Sequence, residues 1–238
     1  MTESRDRPIV AIDGPAGAGK STVARRLADE LGFILVDTGA MYRTVALAAE
    51  EAGASWDDPS GMGAIARALV ARRGLAFSRD QTGGVRVELD GKDVTTAIRA
   101  PRVGMAASAV SAFPDVRNAL LDLQRQAGSQ GGVVLEGRDI GTVVFPDADI
   151  KFFLTARPEV RARRRFDELA SKGIGVTFEQ TLSDVRRRDE QDTMRPVAPL
   201  RQAHDSMLVD SSEITIDATV GLMVERIRSW TARKKSTK

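Results

Sequence analysis

The sequence predicts an α/β fold in which a parallel sheet is flanked by helices. First, a short apolar run at residues 9–13 leads through a glycine-rich stretch into a helical pattern that begins near Lys20. Second, further apolar runs alternate with helical patterns along the chain, which is typical of parallel sheets covered by helices. Third, the pattern changes at residues 75–99, where alternating residues and the turn pairs Gly83-Gly84 and Asp90-Gly91 predict a small antiparallel β insertion.

The predicted strands and helices lie on both sides of this insertion. Core strands are predicted at residues 9–13, 33–36, 133–136, 150–154 and 207–210. Helices are predicted from residue 20, from 38 to 49, before 74, from 101 to 112, after 114, from 158, from 177 to 192, and over 220–227. Thr38 is expected to cap the second helix, because its hydroxyl can accept a backbone N–H. Residues 231–238 are polar and basic, and a solvated tail is expected there.

The glycine-rich stretch matches the P-loop pattern G-x-x-x-x-G-K-[S/T]. It consists of Gly14, Pro15, Ala16, Gly17, Ala18, Gly19, Lys20 and Ser21. Glycines let backbone N–H groups point at phosphate oxygens, and the following helix adds a positive field. Lys20 can reach the β- and γ-phosphates, and the Ser21 hydroxyl can bind Mg²⁺. An ordinary glycine turn would match this pattern by accident in about one per cent of chains of this length. The motif therefore predicts a P-loop fold that binds a nucleoside triphosphate.

Composition excludes several classes of function. Lys and Arg total 35 and Asp and Glu total 33, so the net charge is only +2, less than a duplex-DNA-binding protein usually carries. Cysteine is absent and there is one histidine, which excludes disulfides and clusters of Cys or His ligands. No apolar run approaches 18 residues. We expect a single domain over residues 1–238 that is cytoplasmic and monomeric, without nucleic-acid or membrane partners.

Four clusters of charged and polar residues follow the core strands or lie on adjoining helices. They are Thr38, Tyr42 and Arg43; Arg138 and Asp139; Arg157, Arg161, Arg164 and Arg165; and Arg188, Asp189, Asp192 and Arg195. Helix capping, surface pairing or a solvated basic face would explain each cluster taken alone. Beside a P-loop, arginines can instead stabilise the charge of a phosphoryl group in transfer.

The number of arginines suggests a second anionic substrate opposite the triphosphate. A GTPase switch is not indicated, because the guanine-reading string Asn-Lys-x-Asp does not occur. A phosphate-bearing acceptor is already anionic at neutral pH, since the second pKa of a phosphomonoester is about 6. Such an acceptor needs no general base, whereas sugar or shikimate-type kinases more often use a carboxylate.

Four motifs resemble the bacterial cytidylate kinase family. They are GPAGAGKST at residues 14–22, DTGAMYR at 37–43, GRDIGTVVFPDA at 137–148, and RDEQDTMRPVAPL at 188–200. The resemblance keeps the same order from about residue 8 to residue 227. The block at 137–148 is far more specific than the P-loop, and other nucleoside monophosphate kinases do not share it.

The resemblance implies transfer of the γ-phosphoryl group of ATP to CMP or dCMP with Mg²⁺, giving ADP and CDP or dCDP. It implies that the P-loop, the following Thr22 and Arg157 hold ATP, that residues 157–173 form an arginine-rich lid, and that residues 75–99 belong to a monophosphate-binding lobe. By the same resemblance, the catalytic residues are Lys20, Arg161, Arg165 and Arg188. The acceptor phosphate contacts are Tyr42, Arg138 and Arg195, the sugar contacts are Thr38, Arg188 and Asp192, and the cytosine contacts are Ser108, Arg117 and Asp139. The sequence departs from some members at Thr38, where they have Ser, and at Glu136, where they have Asp.

Two alternatives remain open from the sequence. One is a kinase for UMP and CMP together, or for another small phosphorylated acceptor; at the position of the N4 amino group, cytosine differs from uracil only in that group. The other is an NTP-dependent switch or nucleic-acid-binding module that uses the arginine-rich helix. Scarce aromatic residues, 5% of the chain, disfavour the second alternative because they leave no stacking platform.

Overall fold

The computed structural model of the chain describes residues 6–79 and 85–236. The chain divides into two compact units. We call residues 1–34 with 131–238 the core unit, and residues 35–130 the inserted unit. The single domain predicted over residues 1–238 and the lid predicted at residues 157–173 stay predictions.

The elements alternate much as the sequence predicts. The strands are β1 (Ile9–Asp13), β2 (Ile34–Asp37), β3 (Leu75–Arg79), β4 (Val85–Leu89), β5 (Lys92–Asp93), β6 (Val133–Gly137), β7 (Ile150–Thr155) and β8 (Met207–Asp210). The helices are α1 (Lys20–Leu31), α2 (Thr38–Glu51), α3 (Pro59–Ala71), α4 (Pro101–Val110), α5 (Pro114–Gly128), α6 (Pro158–Ser171), α7 (Phe178–Met194) and α8 (Ile216–Ser236). A 3₁₀ turn at Ala97–Arg99 and a π-helical turn at Ile140–Val144, here called the π-turn, complete them.

A five-stranded sheet in the order β2-β6-β1-β7-β8 forms the centre of the fold. β1 runs parallel to β6 and to β7, and β7 runs parallel to β8, which confirms the predicted parallel sheet. β1 and β6 are buried along their whole length, as expected for strands covered on both faces. In this register Asp13 lies beside Gly137 and Phe153, so the P-loop and the residues after β6 begin at the same edge of the sheet.

The inserted unit contains the predicted antiparallel strands together with four helices of the described chain. β3 pairs with β4 and β4 with β5, while α3 packs on α5 and α2 on α4. The loop between β4 and β5 is the predicted two-residue turn, with positive φ angles of 49° at Asp90 and 81° at Gly91. The predicted Gly83-Gly84 turn lies outside the described residues.

Two local predictions are wrong. Thr38 does not cap α2; it is the first helical residue, and the Asp37 carboxylate accepts the N–H of Ala40 at 2.9 Å instead. A carboxylate suits this position because it accepts the N–H and because its negative charge interacts favourably with the positive end of the helix dipole. The solvated tail predicted at residues 231–238 is helical as far as Ser236, which fits the high helix propensity of Ala, Arg and Lys.

None of the helices that the structure describes is long and apolar enough to cross a membrane.

Candidate active site

The P-loop is shaped by glycines whose backbone angles other residues rarely adopt. Gly14 has a φ of 148°, and a Cβ there would lie only 1.9 Å from the carbonyl oxygen of Leu154 in β7. Gly19 precedes the first residue of α1 with a φ of 91°. Both angles lie in the region that L-residues rarely adopt. These two glycines therefore let the loop backbone pass close to the sheet and lead directly into the N-terminus of α1.

Lys20 is buried at the start of α1, with 6% of the residue exposed. Its Nζ donates to the carbonyl oxygen of Pro15 at 2.8 Å, which holds the ammonium group inside the loop. Burial and then the charge of Arg138 lower its pKa well below the usual value, while Glu136 and Asp192 oppose this shift. A bound phosphate would supply the negative charge that this cationic neighbourhood favours.

Ser21 and Thr22 occupy the first turn of α1, directly after Lys20. Ser21 is exposed, whereas Thr22 is partly buried. Backbone N–H groups in the first turn of a helix have no partner within that helix, which suits this turn to binding phosphate oxygens. The structure therefore places Thr22 beside the loop, and its contact with ATP stays a prediction.

The interactions of Lys20 show that the structure brings the P-loop and two of the four predicted clusters together in the core unit. Besides Lys20 of the P-loop, they involve Glu136 and Arg138 at the end of β6 and Asp192 in α7. Arg188 in α7 also lowers the pKa of Lys20. Residues far apart in the sequence therefore surround the lysine that is expected to reach the triphosphate.

Ser21 and Glu136 place two oxygen-bearing side chains beside the loop. The Ser21 Oγ donates to Glu136 Oε2 at 2.9 Å. Hydroxyl and carboxylate oxygens are what Mg²⁺ prefers. The described residues contain no group of three or more His, Asp or Glu side chains that could hold a metal ion by themselves. This donor set fits Mg²⁺, which usually takes one or two protein ligands together with substrate phosphates and water.

Arg138 and Asp192 form a largely buried ion pair. The Arg138 Nε donates to Asp192 Oδ2 at 2.7 Å, and its Nη1 donates to the Gly137 carbonyl oxygen at 3.2 Å. Burial would raise the pKa of Asp192, but Arg138, Arg188 and Arg195 outweigh it and hold that pKa below its usual value. The carboxylate therefore stays ionised and orients the guanidinium.

Asp139 and Arg195 form a second buried pair in the same region. Arg195 Nη2 lies 3.6 Å from Asp139 Oδ1, and both side chains are less than 8% exposed. The Arg195 Nε donates to the carbonyl oxygen of Ala198 at 2.6 Å. Ala198 has a φ of 50°, which is unusual for a residue other than glycine. The chain after α7 thus folds back to hold Arg195.

Arg161 connects α6 to both the P-loop and α7. Its Nη1 and Nη2 donate to the two carboxylate oxygens of Asp189 at 2.8 and 2.5 Å. Its Nη1 also donates to the Ala16 carbonyl oxygen of the P-loop at 3.1 Å, and its Nε to the Ala156 carbonyl oxygen at 2.8 Å. Only 3% of the residue is exposed. Arg161 is therefore the residue of the predicted lid that the structure brings to the loop.

The other arginines of the predicted face have separate partners. Arg157 bonds to Glu213, Arg164 donates to the Ser211 carbonyl oxygen at 2.6 Å, and Arg165 donates to Glu168 on its own helix at 2.8 Å. Arg163 on the same helix stacks on a ring instead, with its Cζ 4.5 Å from the ring centre of Phe178. Arg165 is half-exposed, so its predicted catalytic role stays a prediction.

The inserted unit holds the remaining predicted contacts. Tyr42 and Arg117 are both buried, with the Arg117 Cζ 5.6 Å from the centre of the Tyr42 ring. Arg117 Nη1 donates to the Ser111 carbonyl oxygen at 3.1 Å, and the Ser111 hydroxyl donates to the Ser108 carbonyl oxygen at 2.9 Å. The structure therefore brings Tyr42, Ser108 and Arg117 together. Thr38 is buried at the start of α2.

Sequence reasoning assigned no role to three residues that support these side chains. Gln124 Nε2 donates to the Tyr42 hydroxyl at 3.4 Å, Asp189 holds Arg161, and the Asp13 carboxylate accepts two backbone N–H groups from the π-turn. Gln124 could have been noticed as a polar residue on the apolar face of α5, and Asp13 as an acid ending a buried strand. Nothing in the local sequence shows that Asp189 faces Arg161.

Comparison with known proteins identifies the family. The family model described as cytidylate kinase matches residues 10–229. The chain belongs to the cytidylate kinase family. A cytidylate kinase of Citrifermentans bemidjiense is 49% identical and covers 94% of both chains. One of Geobacter sulfurreducens is 51% identical over 92% of both chains. One of Neisseria gonorrhoeae is 46% identical over 93% of this chain and 96% of its own. The cytidylate kinase match includes all the predicted site residues, which lie between residues 14 and 195.

Proposed function

We propose that the protein transfers the γ-phosphoryl group of ATP to CMP or dCMP, forming ADP and CDP or dCDP. The observation that carries this proposal is the charged environment of Lys20 in the P-loop of a cytidylate kinase family member. The residues around Lys20 are Glu136, Arg138, Arg188 and Asp192. Those four residues follow the P-loop far along the chain. A site that only bound a triphosphate would not need a second set of half-buried arginines, one of them paired with Asp192.

The donor is held by the P-loop, Thr22 and Arg157. Backbone N–H groups and the N-terminus of α1 bind the phosphates, and Lys20 neutralises the β- and γ-phosphates. Ser21, with Glu136 beside it, would hold Mg²⁺, which supplies further neutralisation of phosphate charge when bound. Arg161, fixed against the Ala16 carbonyl oxygen, would stabilise the charge of the phosphoryl group in transfer.

The acceptor contacts are those that the family resemblance implies. Tyr42, Arg138 and Arg195 bind its phosphate. Thr38, Arg188 and Asp192 contact its sugar, and Ser108, Arg117 and Asp139 contact its base. An Asp carboxylate accepts hydrogen bonds and so favours the N4 amino group of cytosine over the O4 of uracil.

The transfer needs no general base, because the attacking phosphate oxygen is already ionised at neutral pH. Catalysis then consists of alignment and charge neutralisation. Lys20, Arg161, Arg165 and Arg188 carry that neutralisation. Closure of residues 157–173 would exclude water, which could otherwise accept the phosphoryl group.

We further propose a cytoplasmic monomer that acts on small-molecule nucleotides without nucleic-acid or membrane partners. The near-neutral charge supports the lack of a nucleic-acid partner. Within the described residues, the exposed large apolar side chains are spread over several elements, among them β2, α4, α7, β8 and α8, which supports a monomer. Light scattering coupled to size-exclusion chromatography tests the mass, and a dimer would contradict this part of the proposal.

A coupled assay of ADP release tests the function directly. ATP and Mg²⁺ are supplied with CMP, dCMP, UMP, AMP, GMP or shikimate in turn. We expect rapid release with CMP and dCMP and slow release with the others. Equal rates with UMP would make the protein a UMP/CMP kinase. Salt-sensitive RNA binding with no CMP-dependent ADP release would instead support a switch or nucleic-acid-binding module.

A further inference from the structure

Asp13 ends β1 directly before the P-loop, yet its hydrogen bonds reach a different part of the site. Its Oδ1 accepts the backbone N–H of Ile140 at 2.8 Å, and its Oδ2 accepts that of Gly141 at 2.7 Å. Ile140 and Gly141 are the first two residues of the π-turn and directly follow Asp139. A carboxylate that accepts two consecutive N–H groups fixes both the place and the direction of the backbone between them.

Other contacts also restrict the backbone of the π-turn. The Asp139 carbonyl oxygen accepts the N–H groups of residues 143 and 144 at 2.9 and 3.1 Å. A Cβ on Gly141 would lie 3.0 Å from the Cδ of Lys151 and 3.4 Å from Asp13 Oδ2. The backbone that carries Asp139 is therefore held between the end of β1 and the side chain of Lys151.

Stability alone does not explain an acid at this position. Burial raises the pKa of Asp13 to about 6, although the N–H groups of Gly141 and Ile140 lower it. A carboxylate so placed is more costly to ionise than one in water. An amide of the same size would avoid that cost. The feature that an amide could not reproduce is the pair of hydrogen bonds to the π-turn.

We propose that Asp13 is a positioning residue that fixes Arg138 and Asp139 in the orientation that binds the acceptor nucleotide. The proposal rests on the proposed function, in which Arg138 binds the acceptor phosphate and Asp139 reads cytosine. Asp13 acts through the backbone of the π-turn, and it contributes to acceptor binding and to base specificity without contacting the nucleotide.

Steady-state kinetics of Asp13→Asn test this role. Asn has one acceptor oxygen, so one of the two N–H groups loses its partner. We expect the KM for CMP to rise about ten-fold and the preference for CMP over UMP in kcat/KM to fall by a similar factor. The KM for ATP should change less than about two-fold, because a general disturbance of the P-loop would raise both KM values.

Asp149→Asn is the matched control at the other end of the same strand. Asp149 Oδ2 accepts the backbone N–H of Ile9 at 2.9 Å. The substitution is therefore chemically identical and weakens the same kind of bond to β1. It should leave the KM for CMP and the preference over UMP within about two-fold of the wild type, whatever it does to thermal stability.

Gly141→Ala provides a second variant in case Asp13→Asn does not fold, as judged by circular dichroism. Its new Cβ lies 3.0 Å from the Cδ of Lys151 and 3.4 Å from Asp13 Oδ2, so it crowds the turn while the Asp13 carboxylate itself is kept. It should raise the KM for CMP about three-fold or more while the KM for ATP stays constant. An unchanged KM for CMP in the folded variants would overturn the proposal, as would an equal rise in both KM values.

Amide hydrogen exchange tests the role of Asp13 independently of the proposed function. If the wild type released no ADP with CMP, the proposed function would fail while the bracing of the turn could still be measured. Exchange at Ile140 and Gly141 should be faster in Asp13→Asn than in the wild type. Unchanged exchange at both amides would show that Asp13 does not hold the turn.

Discussion

Arg161 and Asp189 form a bidentate ion pair that joins α6 to α7, with donor–acceptor distances of 2.8 and 2.5 Å. The same guanidinium donates to the Ala16 carbonyl oxygen in the P-loop. Protein contacts alone therefore hold this cation where the transferred phosphoryl group is expected. Holding charge in place in advance is how such sites stabilise a transition state without reorganising.

Asp189→Asn should destabilise the protein by about 2 kcal/mol, because the buried Arg161 loses its counter-charge. The melting temperature should fall by about 5 °C, as measured by differential scanning fluorimetry. Bound ATP should reduce the difference in melting temperature between the variant and the wild type, because a phosphate restores negative charge beside the Arg161 guanidinium. Asp184→Asn is the control on the same helix, because Asp184 pairs with Arg187 in an exposed bond. The control should change stability by less than about 0.5 kcal/mol; an equal loss in both variants would refute the role of the buried pair.

Lys20→Ala should lower kcat by roughly 100-fold or more, since it removes the cation that neutralises the transferred phosphate. Arg188→Ala should act chiefly through a raised KM for CMP. Initial rates at varied ATP and CMP measure both effects. Arg228→Ala removes an exposed cation paired with Glu30 and should leave the rates unchanged. Near-wild-type turnover of Arg188→Ala with CMP would remove that residue from the site.

Ser21→Ala should raise the Mg²⁺ concentration that gives half-maximal rate by about ten-fold, because a ligand oxygen is lost. Glu136→Gln should also raise this Mg²⁺ concentration, because the Glu136 carboxylate accepts a hydrogen bond from the Ser21 hydroxyl. Ser171→Ala serves as the control, because Ser171 is an exposed residue bonded to the end of its own helix. If the Mg²⁺ dependence stayed that of the wild type in both variants, the assigned ligands would be wrong.

The stability of the wild type should fall relative to Asp13→Asn as the pH rises from about 4 to 6. Burial raises the pKa of Asp13 from 3.8 to about 6, so in this range the folded state holds a proton that the unfolded state has lost. The effect should total about 3 kcal/mol and level off above about pH 7. Urea unfolding of both proteins at several pH values measures it. A difference that stays constant with pH would show that Asp13 titrates normally.

Much of the core unit follows from local sequence patterns. The P-loop, the parallel strands and the helix that carries Arg161 are predicted because each depends on spacing within a few residues. The capping of α2 was mispredicted, since both Asp37 and Thr38 are good capping residues and only their backbone angles decide between them. The helical tail was missed because contacts and propensity, rather than polarity, determine its state.

Pairs between distant elements could not be predicted in the same way. The sequence places Arg138 after a strand and Asp192 on a helix, but it does not indicate that they bond. The same holds for Asp13 and the π-turn, whose contact depends on the register of β1 against β6. Long-range partners follow from how the sheet assembles, and no short motif encodes them.

The order of strands in the sheet also constrains how the chain can fold as it is made. β1 appears first, but its two neighbours are strands that begin at Val133 and Ile150, after the whole inserted unit. A nascent chain must therefore carry an unpaired apolar strand until synthesis has passed β6 at residue 137, and β1 has only one neighbour until β7 has followed. During that interval the antiparallel strands and helices of residues 35–130 have only local partners to find, and they can form first. Chains truncated before β6 would leave β1 without a partner and open to aggregation.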